Sequence, residues 1–206
     1  MKNILLSTLL FCVTIFGLNA QEIDEANGIF TDFNQFKSKK SCPIQSIKLK
    51  KKSDFLLSVK SIEADCYGYR KPNKLIAIHF ENEIYYNMKY NVEFLTRNKF
   101  SKLLVIGKYC AFIVNESFPI NIQGQAGFNT GGLLGTLILG PNGKNKIYYL
   151  DVDKGHKTKV LSKNRLKKIL SVDQELLDSF NSEKNISAEL FLSYLKKINL
   201  KLKKNE

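Results

Sequence analysis

The chain has 206 residues, 25% of them charged, with 32 lysines and arginines against 19 acids for a formal charge of +13. That length buries a core of its own without staples, and an apolar share of 44% excludes wholesale disorder. The basic excess reads first as ordinary solvated lysine faces, with an anionic envelope component or a membrane surface as the functional reading. Nucleic acid fits poorly, because only Arg70, Arg97 and Arg165 are arginines and readers of phosphate and base edges favour the planar guanidinium fork.

Residues 1–20 read as a cleavable signal peptide. Lys2 supplies the positive start, 4–16 an apolar stretch, and Leu18-Asn19-Ala20 a small-residue cleavage site before Gln21. The stretch is shorter than the roughly 20 residues that span a bilayer. Cys12 lies inside it, behind Phe11, which argues against a lipid anchor. Export is therefore expected, to the periplasm, the outer envelope or beyond.

Cleavage leaves Cys42, Cys66 and Cys110. An oxidising compartment then favours one disulfide and one spare thiol. Cys66–Cys110 is the preferred pair, because both lie in strand-like segments, with Cys42 free; the other two pairings stay open.

The expected organisation is a mostly β region over 21–161, carrying a glycine-rich apolar segment at 123–140, and a helical segment over 162–206 packed on it. Phe30, Phe33 and Phe36 recur at a spacing of three, with Thr31 and Asp32 as caps. This predicts one or two turns of helix laying three rings on a core. The lysine-rich stretch 37–52, broken by Cys42-Pro43, predicts a loop entering a short strand at 46–50.

Strands are expected at 54–62, 66–70, 75–80, 83–88 and 103–114, all rich in Ile, Val, Leu, Tyr and Phe. Glu81-Asn82 joins two of them as a hairpin turn. A second hairpin pairs 147–152 with 158–161 around Asp153-Lys154-Gly155-His156. Ser162, Asp173 and Ser187 each stand at a helix start, and Leu190, Phe191, Tyr194, Leu195, Ile198 and Leu202 form one apolar stripe opposite lysines. The fold class is α+β: an antiparallel sheet or sandwich core with C-terminal amphipathic helices.

No catalytic set and no cofactor signature emerges. His79 sits in a strand and His156 in a turn, and neither has a serine elbow or a sequence-near cysteine partner. Asp151, Asp153 and Gly155 resemble the start of a calcium loop but lack its further acidic ligands. No Cys/His spacing suits zinc.

The glycine segment offers two readings. Gly127, Gly131 and Gly135 fall four apart, a spacing that lets helices approach closely, with Leu134, Leu137 and Ile138 as the apolar partners for lipid or self-association. Adjacent Gly131-Gly132 weakens a helix, which favours a connection whose apolar part packs as a buried strand. The lysine-rich C-terminal helix would be the second membrane contact, set against the ordinary outcome that its stripe packs on its own sheet.

Several segments together carry a likeness. Gly28-Ile29-Phe30 with Phe33 and Phe36, Tyr67-Gly68-Tyr69 followed by Lys74-Leu75-Ile76-Ala77-Ile78, Tyr149-Leu150-Asp151 before Gly155, and Tyr194 through Asn199 resemble motifs of a family of small uncharacterised exported proteins of Bacteroidota. The resemblance implies export and this fold class, and brings no activity with it. The leading functional reading is a non-enzymatic binding or structural module of the envelope. Peripheral membrane association is the alternative, and an uncharacterised hydrolase the third.

Overall fold

A computed structural model of the chain describes residues 27–66, 68–90, 98–115 and 145–204. The segments 1–20 and 123–140, with their signal-peptide and glycine readings, lie outside the described residues.

The first strand, β1 (Gly28–Phe30), is followed by a short helix, α1 (Phe33–Ser38). Phe30 therefore belongs to a strand, a correction to the three-ring helix. Asp32 does cap α1, its Oδ1 accepting from the backbone N–H of Gln35 at 2.9 Å. The helix stops at Lys39, whose φ of 57° is left-handed.

Next come β2 (Cys42–Ser53) and β3 (Leu56–Ala64). The loop expected over much of 37–52 is thus mostly strand. A register shift between Ile44 and Ser46 makes Gln45 an extra residue in β2, so Ile44 falls out of step with Ile47 and Leu49. Strands β4 (Gly68–Arg70), β5 (Ala77–Phe80), β6 (Glu83–Asn87) and β7 (Lys99–Lys102) complete the sheet. The β5–β6 turn is the expected Glu81-Asn82, with φ of 51° and 61°, as a two-residue primed turn requires.

Pairing runs β2-β1-β5-β6-β7-β3, and β3 returns to β2, closing six antiparallel strands into a barrel with β4 attached to the far end of β3. Ile29, Leu57, Val59, Ile62, Ile78, Tyr85 and Phe100 fill its interior.

A second sheet follows, built from β8 (Tyr109–Asn115), β9 (Asn145–Asp151) and β10 (Lys159–Val160). The strand expected over 103–114 begins only at Tyr109, although an isolated bridge joins Val105 to Ala111. Cys110, Phe112, Val114, Tyr148 and Leu150 face the barrel wall, against Phe30, Ala77 and Tyr86. Tyr109, Ala111 and Ile147 face the other way, onto the helices. The architecture is α+β in three layers: barrel, sheet, helices.

Those helices are α2 (Lys163–Leu170), α3 (Gln174–Ser182) and α4 (Ala188–Lys204). Ser162 and Asp173 cap the first two, accepting from Arg165 N at 3.3 Å and Leu176 N at 2.9 Å; Ser187 Oγ accepts from Leu190 N at 3.2 Å. The α4 stripe of Phe191, Tyr194, Leu195 and Ile198 is buried.

One side chain stitches α4 to the sheet. Asn199 donates from Nδ2 to the Tyr109 carbonyl at 2.8 Å and accepts at Oδ1 from the Tyr109 N–H at 2.9 Å, so its amide stands in for a neighbouring strand. Gly107 leaves room for it: a Cβ there would fall 2.6 Å from the Asn199 amide. Asn199→Ala should cost about 2 kcal/mol in urea unfolding, by stranding both backbone groups. Gly107→Ala should also destabilise, and the double variant should lose less than the sum. Strict additivity would mean that the Gly107 effect arises elsewhere.

Candidate functional site

Strands β2 and β3 pair with Ile44 opposite Ala64. Continuing that register outward sets Cys42 against Cys66, and the two form a disulfide with 6.1 Å between their Cα atoms. The expected Cys66–Cys110 pair is corrected: Cys110 is the free, buried thiol, and Cys42 is bonded. The hairpin register decides the pairing, because Cys110 lies in the layer between barrel and second sheet.

Beside the disulfide opens a shallow groove of about 760 Å³, lined among others by Asp32, Gln35, Ser38, Ser41 and Asp65. Its walls are held by local bonds. Gln35 Oε1 accepts from the Thr31 N–H at 2.9 Å and from its hydroxyl at 3.0 Å, and Gln45 donates to the Asp65 carboxylate. Gly28 lets β1 close against this wall, since a Cβ there would sit 2.4 Å from Ser41 Oγ. The groove presents amides, hydroxyls, two carboxylates and Lys40 at one rim of the barrel, beside the apolar Pro43 and the disulfide. Among the described residues its lining contains no free thiol or imidazole. Nothing in the spacing of its lining residues marks it, because the disulfide register and the α1 turn assemble it.

The titratable candidates are scattered. His79, on β5, makes no hydrogen bond to a cysteine or an acid among the described residues. Burial pushes the Cys110 thiol up to about 11, and its Sγ donates to the Gly107 carbonyl at 3.3 Å, so it is a poor nucleophile near neutral pH. His156 belongs to an aromatic seam, 4.9 Å from Tyr90 and 6.1 Å from Phe33 by ring centroids. Its carbonyl accepts the Tyr86 hydroxyl at 2.6 Å. Burial raises the Tyr86 pKa, which keeps that donor protonated.

The aspartates of the second hairpin are engaged structurally. Asp151 caps the short turn Val152–Lys154 and pairs with Lys154 at 2.9 Å. Asp153 binds Lys37 of α1 and Lys108 beside β8, each at 3.1 Å. Gly155, at φ 101°, supplies the turn. No cluster of three His, Cys, Asp or Glu that could hold a metal occurs among the described residues.

The lysine tail is partly spoken for as well. Lys201 bridges Asp173 at 2.8 Å and Glu175 at 2.7 Å, while the α4 stripe faces the sheet and not solvent. No described helix is long and apolar enough to cross a membrane.

The closed barrel, second sheet and helical layer make a small α+β protein that carries a disulfide and a groove at one rim of the barrel. Residues 28–202 match a family of unknown function (DUF6563), and the chain belongs to that family. No curated protein and no solved structure matches it.

Replacing both disulfide cysteines, Cys42→Ser with Cys66→Ser, should cost about 3 kcal/mol, given the loop it closes. In the native protein an aromatic disulfide reagent should leave Cys110 untouched until denaturant is added; rapid reaction without denaturant would show the layer opening. The Lys108 and Lys37 ammoniums hold the Asp153 carboxyl below its ordinary 3.8. Its contribution is therefore present above that value and drains as pH falls through the lowered folded pKa. The stability gap between wild type and Asp153→Asn, under about 1 kcal/mol for so exposed a pair, should close below pH 3.8 in urea titrations.

Proposed function

We propose that the protein is exported and works in the cell envelope as a non-enzymatic binding module, with the rim groove as its ligand-facing surface. The observation that carries this reading is the Cys42–Cys66 disulfide at the groove's edge. Such bonds persist where thiol reductants do not reach, which accords with the leader-like composition of 1–20. The groove sets amides, hydroxyls and carboxylates over a lining that is apolar in larger part, which suits a ligand that combines hydrogen bonds with apolar contact, such as a glycan or peptide segment of the envelope. The reading without catalysis draws on three observations: the disulfide occupies Cys66, burial raises the Cys110 thiol, and His79 has no hydrogen-bonded cysteine or acid among the described residues.

The alternative, peripheral attachment through the C-terminal helix, loses its apolar half, because α4 spends that stripe on the sheet.

Fractionation of expressing cells with thiol trapping tests the proposal. The expected product starts at Gln21, sits in the periplasmic or secreted fraction, and resists alkylation at Cys42 and Cys66 unless reduced. A cytosolic chain starting at Met1 with both thiols open would overturn it.

A further inference from the structure

Phe55 stands 47% exposed at the β2–β3 turn, at the opposite end of β2 from the disulfide. Its position is fixed: its carbonyl accepts from the Lys102 N–H at 2.9 Å, so β7 holds the turn that projects the ring. The wall behind it is cationic. Lys48, Lys50 and Lys52 lie along β2, Lys60 on β3 and Lys99 on β7.

Pairing places Lys50 and Lys99 on either side of Ser58, about 10 Å apart at the usual strand spacing. None of these five lysines joins an ion pair among the described residues; the tip's own acid, Asp54, is with Lys51 at 3.9 Å. The crowding registers on Lys52, whose ammonium is pushed below its ordinary pKa by Lys50 first and also by Lys99 and Lys60.

Edge protection explains part of this. Beyond the Ile44 N–H, which reaches the Asn27 carbonyl at 3.2 Å, β2 has no partner on its β1 side among the described residues, and lysines on such an edge discourage further strand addition. That account covers Lys48 and Lys50. It does not cover Lys99, whose strand has neighbours on both sides, and it runs against an exposed phenylalanine on the same tip. An aromatic ring beside a group of four to eight lysines is the combination that binds anionic bilayers.

We propose that the β2–β3 tip docks on an anionic membrane surface, with Phe55 entering the headgroup layer and Lys50, Lys52, Lys60 and Lys99 over the lipid phosphates. The rim groove, at the other end of β2, then faces away from the bilayer. This surface is independent of what the groove binds.

Co-sedimentation of the chain beginning at Gln21, which keeps every described residue, tests the proposal on phosphatidylcholine vesicles with and without phosphatidylglycerol. Binding should require phosphatidylglycerol and fall away in about 1 M NaCl, where the Debye length is about 3 Å. Each of Lys50→Gln, Lys52→Gln and Lys99→Gln should weaken it about 5-fold. Phe55→Ala should weaken vesicle binding several-fold while leaving retention on a soluble polyanion, heparin, unchanged. A control triple variant, Lys168→Gln, Lys196→Gln and Lys203→Gln, removes the same three charges as the tip triple Lys50→Gln, Lys52→Gln and Lys99→Gln, and should bind nearly as wild type while the tip triple does not. Equal losses from the control and the tip variants would overturn the proposal. So would heparin retention with no vesicle binding, the result expected of a patch for soluble acidic polymers.

Discussion

Strand β8 turns Tyr109 and Ala111 toward the helices and Cys110, Phe112 and Val114 toward the barrel, and β9 does the same with Ile147 against Tyr148 and Leu150. A sheet buried on both faces must be covered on both faces, and most of the molecule answers to that demand. The barrel wall supplies one cover with Phe30, Ala77 and Tyr86; the helices supply the other with Leu166, Phe180, Phe191 and Tyr194. Tyr194 is the case in point. It is fully buried, and its hydroxyl is satisfied by Glu183 at 2.7 Å and Ser179 at 2.8 Å, so an amphipathic side chain closes the helical layer without leaving a polar orphan. The same demand makes Cys110 inert and commits the Phe191, Tyr194, Leu195 and Ile198 stripe of α4 to the sheet.

How much of this was legible depended on whether a pattern is local. The caps Asp32, Ser162 and Asp173, the Glu81-Asn82 turn and the α4 stripe are written within a few residues, and each was readable. Closure of the barrel is not: β1 holds three residues and takes its partners from β2 and β5, while β3 reaches β7 across more than 30 positions. Strand β2 hid for another reason. Its bulges change which side alternate residues face, so Ile44, Ile47 and Leu49 look aperiodic among lysines although all three pack toward the barrel interior.

The disulfide and the groove failed to show for the same cause. Once β2 is read as a loop, Cys42 has no place opposite Cys66, and the strand-like setting of Cys110 makes it the more attractive partner. With the hairpin recognised, the register alone pairs Cys42 with Cys66. The groove then follows, because α1 and the start of β2 are drawn to the same rim. Candidate residues chosen by chemical type, His79, His156 and Asp153, turned out to lie in a strand, an aromatic seam and an ion-paired turn. The polar rim is built from unremarkable residues such as Gln35 and Ser41 that only the fold brings together.

Charge on this protein divides into two kinds. Asp153, reached by Lys37 and Lys108, ties α1 to the second hairpin and to the entry of β8; exposed pairs of this sort contribute little energy, and their effect is to set the relative position of three elements. Lys48, Lys50, Lys52, Lys60 and Lys99 of the barrel wall have no such counterpart among the described residues, unlike Lys51 with Asp54 and Lys102 with Glu83, and the fold holds the five together against their mutual repulsion. Lysine carries a compact, strongly hydrated charge on a flexible stem, whereas arginine offers a planar fork for bidentate contacts. A wall of such lysines is therefore poorly made for recognising one phosphate and well made for attraction to a diffuse negative surface. Placing that wall and Phe55 at one end of β2, and the disulfide-bound groove at the other, gives the barrel two ends of different chemistry set by a single strand.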